Sequence, residues 1–169
     1  MELIDKKFRR DKRHYLLQCG MAAVAMLVVL ALLAPISNAA VIASLGASTF
    51  FVFAVPKAKS CSPRFLIGGY VTGVAVGTLC LWLSRITPLP TRLGRIPAFP
   101  EVVFGALAVG LTTFAMVVTN TEHAPAAGLA LGFVLLDEWR WIVPIAVLAG
   151  IVALCGVKHV LRSFLRDLI

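Results

Sequence analysis

Polar positions are sparse along this chain, and they divide its apolar residues into six segments, roughly 16–34, 38–55, 65–84, 101–119, 125–136 and 139–157. A helix needs about 20 residues to cross a bilayer, and four of the segments come close to that length. The second and fifth are different. The second, "SNAAVIASLGASTFFVFAV", carries Asn38, Ser44, Gly46, Ser48 and Thr49 in its first two thirds. The fifth, "APAAGLALGFVLL", is too short to span as a helix by itself. The order is long, interrupted, long, and then the same again. Three crossings per half turn the second half upside down relative to the first. Interrupted segments at matching positions of two such halves point to a transport site.

Composition agrees with this pattern. The chain of 169 residues is 60% hydrophobic and 14% charged, with a mean hydropathy of +0.93. A soluble domain carries nearly twice that share of charge. The expected fold is therefore an all-α polytopic membrane bundle of four to six membrane segments. A single transmembrane domain is expected over 16–158, with halves at 16–84 and 101–158. A basic N-terminus (1–15) and a short tail (159–169) flank it. The run from Leu16 to Ala34 exceeds the 7–15 residues of a signal-peptide core, so it reads as a retained first span.

The net charge of +8 lies at the edges of the apolar segments. Lys6, Lys7, Arg9, Arg10, Lys12 and Arg13 crowd the start, and Lys158, Arg162 and Arg166 follow the last segment. No basic stripe alternates with aromatics, which argues against nucleic acid. Basic flanks instead set orientation and attract anionic lipid headgroups. With six crossings, twelve basic residues fall on the side of the termini and four on the other. If the interrupted segments are re-entrant loops, the tally is the same, so charge leaves the two topologies open. Both place the N- and C-termini in the cytoplasm.

Glycines shape the third segment: Gly69, Gly73 and Gly77 recur every four residues and make a groove for a close neighbour. Gly128 and Gly132 repeat the spacing in the fifth segment, and with this device a homo-oligomer is expected. Trp139 and Trp141 read as an interfacial anchor. The four cysteines are scattered and form neither a disulfide framework nor a zinc site, and no cofactor or metal is expected. No H-E-x-x-H, G-x-S-x-G or phosphate-binding glycine loop is present, so the chain does not read as an enzyme.

Candidate chemistry gathers at the two odd segments. Asn120 or Thr121 can cap a helix whose first turn holds Pro125 and Ala126, with free N–H groups directed at His123. Ser44 and Gly46 could begin a comparable half-helix, with Ser48 and Thr49 supplying hydroxyls. Two helix N-termini meeting at depth would bind a small anion. Glu122 would oppose that anion unless it faces water, pairs with a base or is protonated. Three plainer readings stand beside this one. Glu122 and His123 could lie in a surface loop, the hydroxyls could bond back to their own helix, and the segments could be packed only for stability.

The same residues carry a family resemblance. "PISNAAVIASLGASTFFVFAVPKAKSCSPRFLIGGYVTGVAVG" resembles the first signature of the HPP family of integral membrane proteins, with Gly46-Ala47-Ser48, Pro63-Arg64 and the glycine-rich run from Gly68 to Gly77. "TEHAPAAGLALG" is similar to the His-Pro-Pro motif that names the family, here His123-Ala124-Pro125 without the middle proline. Phe65 and Tyr70 stand where the family often has asparagine and histidine. The resemblance implies a compact helical membrane protein and, from some cyanobacterial and chloroplast members, nitrite transport. A bacterial plasma membrane is the expected location. The expected function is a small-anion transporter or channel, with a non-transporting scaffold or sensor subunit as the alternative.

Overall fold

A computed structural model describes residues 11–32, 39–93, 96–136 and 138–168. Lys6, Lys7, Arg9, Arg10, Asn38, Arg95 and Asp137 lie outside the described residues. Six α-helices are described: α1 Lys12–Leu32, α2 Ala39–Ala54, α3 Pro63–Ile86, α4 Phe99–Thr119, α5 Ala124–Val134 and α6 Ile142–Leu161. A 3-10 turn, Lys59–Cys61, joins α2 to α3. Between α3 and α4, Arg92–Leu93 pairs with Ile96–Pro97 in a two-residue antiparallel ladder.

Four helices (α1, α3, α4 and α6) are long and apolar enough to cross a membrane. They are apolar on nearly every face, and Leu16, Leu27, Phe114 and Val118 are each about two thirds exposed. Water would not tolerate that surface, whereas lipid would. The chain is an integral, multi-pass helical protein. The two remaining helices have 16 and 11 residues. At 1.5 Å per residue neither reaches the ~30 Å of a hydrocarbon core.

Named contacts fix the direction of each helix. Tyr15 donates to the Leu168 carbonyl and Leu168 N–H to that of Ala54, so the start of α1, the end of α2 and the C-terminal segment share one face. Arg64 at the start of α3 donates to the carbonyl of Thr119 at the end of α4. Lys158 near the end of α6 donates to the Cys61 carbonyl. The helices therefore alternate, and the short ones alternate with them. Helix α5 runs parallel to α3, because Gly69 meets His123 and Gly77 meets Ala130. Helix α2 runs the opposite way, since Ser48 meets His123 while Val41 meets Gly132. The interrupted segments thus pass through the bundle and do not turn back within it.

The packing also has a two-fold character. Helix α1 packs on α2 and α6; α3 packs on α4, α5 and α6; α5 packs on α2 and α4; and α2 packs on α6. Exchanging the first three helices for the last three maps this set of pairs onto itself. Two three-helix halves of opposite direction is what the segment pattern predicted.

The glycine groove on α3 receives α5. A Cβ built on Gly73 would stand 2.6 Å from the Ala126 carbonyl oxygen, and one on Gly77 2.9 Å from Ala130 Cα. No side chain fits there, so the backbones touch, as small-residue packing in lipid requires. The groove's partner on α5 was only half as expected. Gly132 packs on Ala40 and Val41 of α2, but a Cβ on Gly128 would meet nothing within 4 Å.

Candidate functional site

Backbone geometry separates neighbouring residues around 120. Helix α4 ends at Asn120, whose φ of 53° is left-handed, a conformation that asparagine tolerates. The Asn120 and Thr121 N–H groups close the last turn on the Met116 carbonyl. The chain then reverses, Glu122 stays exposed, and His123 turns inward with only 1% exposure. Helix α5 starts at once, with Pro125 in its first turn and the Ala126 N–H bonded to the His123 carbonyl.

His123 is held from three elements. Its Cβ lies where a side chain on Gly69 would be, 2.8 Å from an added Cβ, so the glycine of α3 makes room for it. Nε2 lies 2.8 Å from Ser48 Oγ of α2. Nδ1 lies 3.2 Å from the Ser60 carbonyl in the 3-10 turn, which closes the site towards the basic face. Tyr70 of α3, fully buried, places its hydroxyl 2.8 Å from Ser48 Oγ. The rings of Tyr70 and Phe51 stand 5.8 and 6.0 Å from the imidazole, centroid to centroid. The cluster is polar, buried and hydrogen-bonded throughout.

Several predicted site residues take other places. Helix α2 is uninterrupted from Ala39 to Ala54, so Ser44, Gly46, Ser48 and Thr49 lie inside it and begin no half-helix. The reason is local: Ser44 donates to the Val41 carbonyl, Ser48 lies 3.1 Å from that of Ser44, and Thr49 donates to that of Leu45. Hydroxyls bonded back in this way stay within a helix and do not break it. Facing half-helix N-termini are thereby corrected to one N-terminus, that of α5, lying against the side of α2. Ser44 stands one turn behind Ser48 on the same face. Gly46 and Thr49 face α1 instead, near Met26. Asn120 caps α4 and not α5, and its exposed side chain accepts from Lys59 Nζ at 2.9 Å. Ala126 lines the α3 groove and Pro125 is buried beside it.

Tyr70 and the Ser60 carbonyl were missed by sequence reasoning. A carbonyl gives no sequence signal. Tyr70 gave one, since a hydroxyl-bearing ring stood in a glycine-rich helix at a position singled out by the family resemblance.

The far end of α5 has its own polar feature. A cleft of about 670 Å³ opens between the ends of α3, α4 and α5, lined by Ser84, Arg85, Thr87, Glu101 and Leu135. Helix α5 thus runs from the buried cluster near one face to this cleft, which Leu81, Leu89 and Val134 also line, at the other. Among the described residues, no group of three or more His, Cys, Asp or Glu could hold a metal ion.

These features define a polytopic helical membrane protein whose bundle encloses a small polar cluster. Within that class the chain belongs to the HPP transmembrane family, matching the family's transmembrane region over residues 8–167. It is also similar to a transmembrane protein of Dictyostelium discoideum, 31% identical over 129 residues, 74% of this chain and 42% of that protein. The chain therefore spans less than half the length of that relative. No solved structure matches.

Proposed function

We propose that the protein is a transporter or channel for a small inorganic anion, with nitrite as the first candidate, and that His123, Ser48 and Tyr70 at the start of α5 form its site. One observation carries the reading: an ionisable ring is buried inside a membrane bundle, at a helix N-terminus, beside two hydroxyls. Ionisable groups within membrane domains are costly to keep and mark transport paths. A helix N-terminus adds about half a positive charge. The two inverted halves and the cleft beyond α5 support the same reading. Orientation follows from the basic residues, with Lys59 and both termini on the cytoplasmic face. Anionic lipid at the basic N-terminus and a homo-oligomer belong to this proposal too.

The test is nitrite flux into proteoliposomes holding the purified protein, with nitrate, formate and chloride as competitors and His123→Ala alongside. Saturable flux, reduced in the variant, supports the site. Flux untouched by the substitution moves the site elsewhere.

A second reading, a non-transporting scaffold or sensor, is favoured by the burial of the same cluster. Ser48 is fully buried and His123 nearly so, and both are hydrogen-bonded. Absence of flux for all four anions, from folded protein, decides for it.

A further inference from the structure

The hydrogen bonds around His123 assign its protons. A carbonyl has none to give, so Nδ1, facing the Ser60 carbonyl, carries one and donates it. In the neutral ring Nε2 is then a bare lone pair, and Ser48 Oγ donates to it. Ser48 has a single proton, so the Tyr70 hydroxyl donates to Ser48. Polarity runs from Tyr70 through Ser48 and His123 to Ser60.

One further proton can join this chain, and only at Nε2. Its acceptor is already in place. With Nε2 protonated, N–H donates to Ser48 Oγ, and the Ser48 proton turns to the Ser44 carbonyl, 3.1 Å away. Tyr70 continues to donate to Ser48, which has two lone pairs. Every polar group of the cluster is satisfied in both protonation states, and one hydroxyl rotation separates them.

Among the described residues, the cluster has no counter-charge. Helix α2 presents Ser48 and Phe51 to the ring, neither titratable near neutral pH, and α3 presents Tyr70. In the 3-10 turn, Lys59 points away to Asn120 and the Phe65 ring, and the Cys61 thiol donates to the Phe51 carbonyl. Lys158 of α6 stops at the Cys61 carbonyl, and Glu122, beside His123, is exposed. A buried imidazolium without a partner costs several kcal/mol, and so does a buried anion. Together they form a neutral pair that removes most of both penalties.

We infer that His123 Nε2 takes up one proton for each monovalent anion bound, so that proton and anion cross the membrane together. This inference rests on the anion-site reading above. The proton enters from water at Nε2 and leaves to water on the opposite side. No bond to the anion forms or breaks, and Ser48 and Tyr70 return to their starting donors. Linkage makes the effect reciprocal: each proton bound favours the anion, and each anion the proton.

The decisive measurement uses the wild-type protein in weakly buffered proteoliposomes with a pH dye in the lumen, and protein-free liposomes as the baseline. An inward gradient of nitrite or nitrate is applied with the membrane voltage clamped. The expected result is acidification of the lumen by one proton per anion, independent of voltage. Anion affinity should tighten about tenfold per pH unit of acidification while the free ring is neutral. In His123→Gln, checked for folding, proton uptake and this pH dependence should both disappear. Anion flux without proton uptake, driven by voltage, overturns the coupling and leaves the anion site standing. No flux of either anion overturns both.

Discussion

Ser48 Oγ lies 2.8 Å from His123 Nε2, although 75 residues separate them in the chain. The contact joins the two short helices, one from each half, and it brings together the two segments whose polar residues distinguish them from ordinary spans.

Removing one side of this contact should leave a buried group unpaired. Ser48→Ala takes the donor from Nε2 and is expected to cost about 1–3 kcal/mol, and Tyr70→Phe about 1 kcal/mol. Combining Ser48→Ala with His123→Gln should show a coupling of about 0.5–2 kcal/mol in a double-mutant cycle. Unfolding in mild detergent measures it. Strict additivity would place the ring somewhere else.

The glycines of α3 and α5 should differ sharply under the same substitution. Gly73→Ala drives a methyl into the Ala126 carbonyl, where only backbone could yield, and a loss of about 1–3 kcal/mol is expected. Gly128→Ala meets open space and should be neutral or stabilising by up to about 1 kcal/mol. Equal effects at both positions would contradict the groove.

Water access to Ser48 separates transport from scaffold. In a variant with Ser48→Cys, a transporter should react with a water-soluble thiol reagent as its site opens, and an anion should change the rate. Native Cys19 is exposed and Cys155 half-buried, so both are first replaced by serine, and the buried Cys61 and Cys80 serve as internal references. A thiol that never reacts in folded protein points to the scaffold.

Gln18 ties the C-terminal segment to the bundle. Fully buried, it donates through Nε2 to the Phe53 and Arg166 carbonyls and accepts from the Arg166 N–H at 3.2 Å. Gln18→Leu strands these backbone groups at a cost of about 1–3 kcal/mol. Trypsin should then cleave after the exposed Arg162 and Arg166 several times faster than in the wild type. Unchanged digestion would show that Tyr15 and Lys57, which bond to Leu168 and Asp167, hold the segment without it.

The fold was largely written in local pattern. Apolar length alone marks α1, α3, α4 and α6, because lipid demands about 20 apolar residues and little else can satisfy a backbone there. The short α5 was legible from Pro125 and from the small residues after it. Helix α2 was misread at Ser44 and Gly46, since a serine looks the same in sequence whether it caps a helix or bonds back to its own turn. Asn120 was misread for a related reason, because asparagine suits both the start of one helix and the left-handed end of another.

By itself, then, the sequence determined a helical membrane bundle of four to six segments and marked His123 and Ser48 as polar residues in apolar surroundings. Tertiary structure decided whether they meet. Direction was the first decision: with α2 antiparallel to α5, Ser48 reaches His123, while Gly46 and Thr49 face α1 because they lie around the helix from it. Depth was the second, since only a glycine at position 69 lets His123 sink between α3 and α2 while Glu122, one residue earlier, stays outside. Both depend on which helix faces surround a side chain. Periodicity along one segment fixes its faces and leaves their partners open, because those are chosen by close packing across the whole bundle.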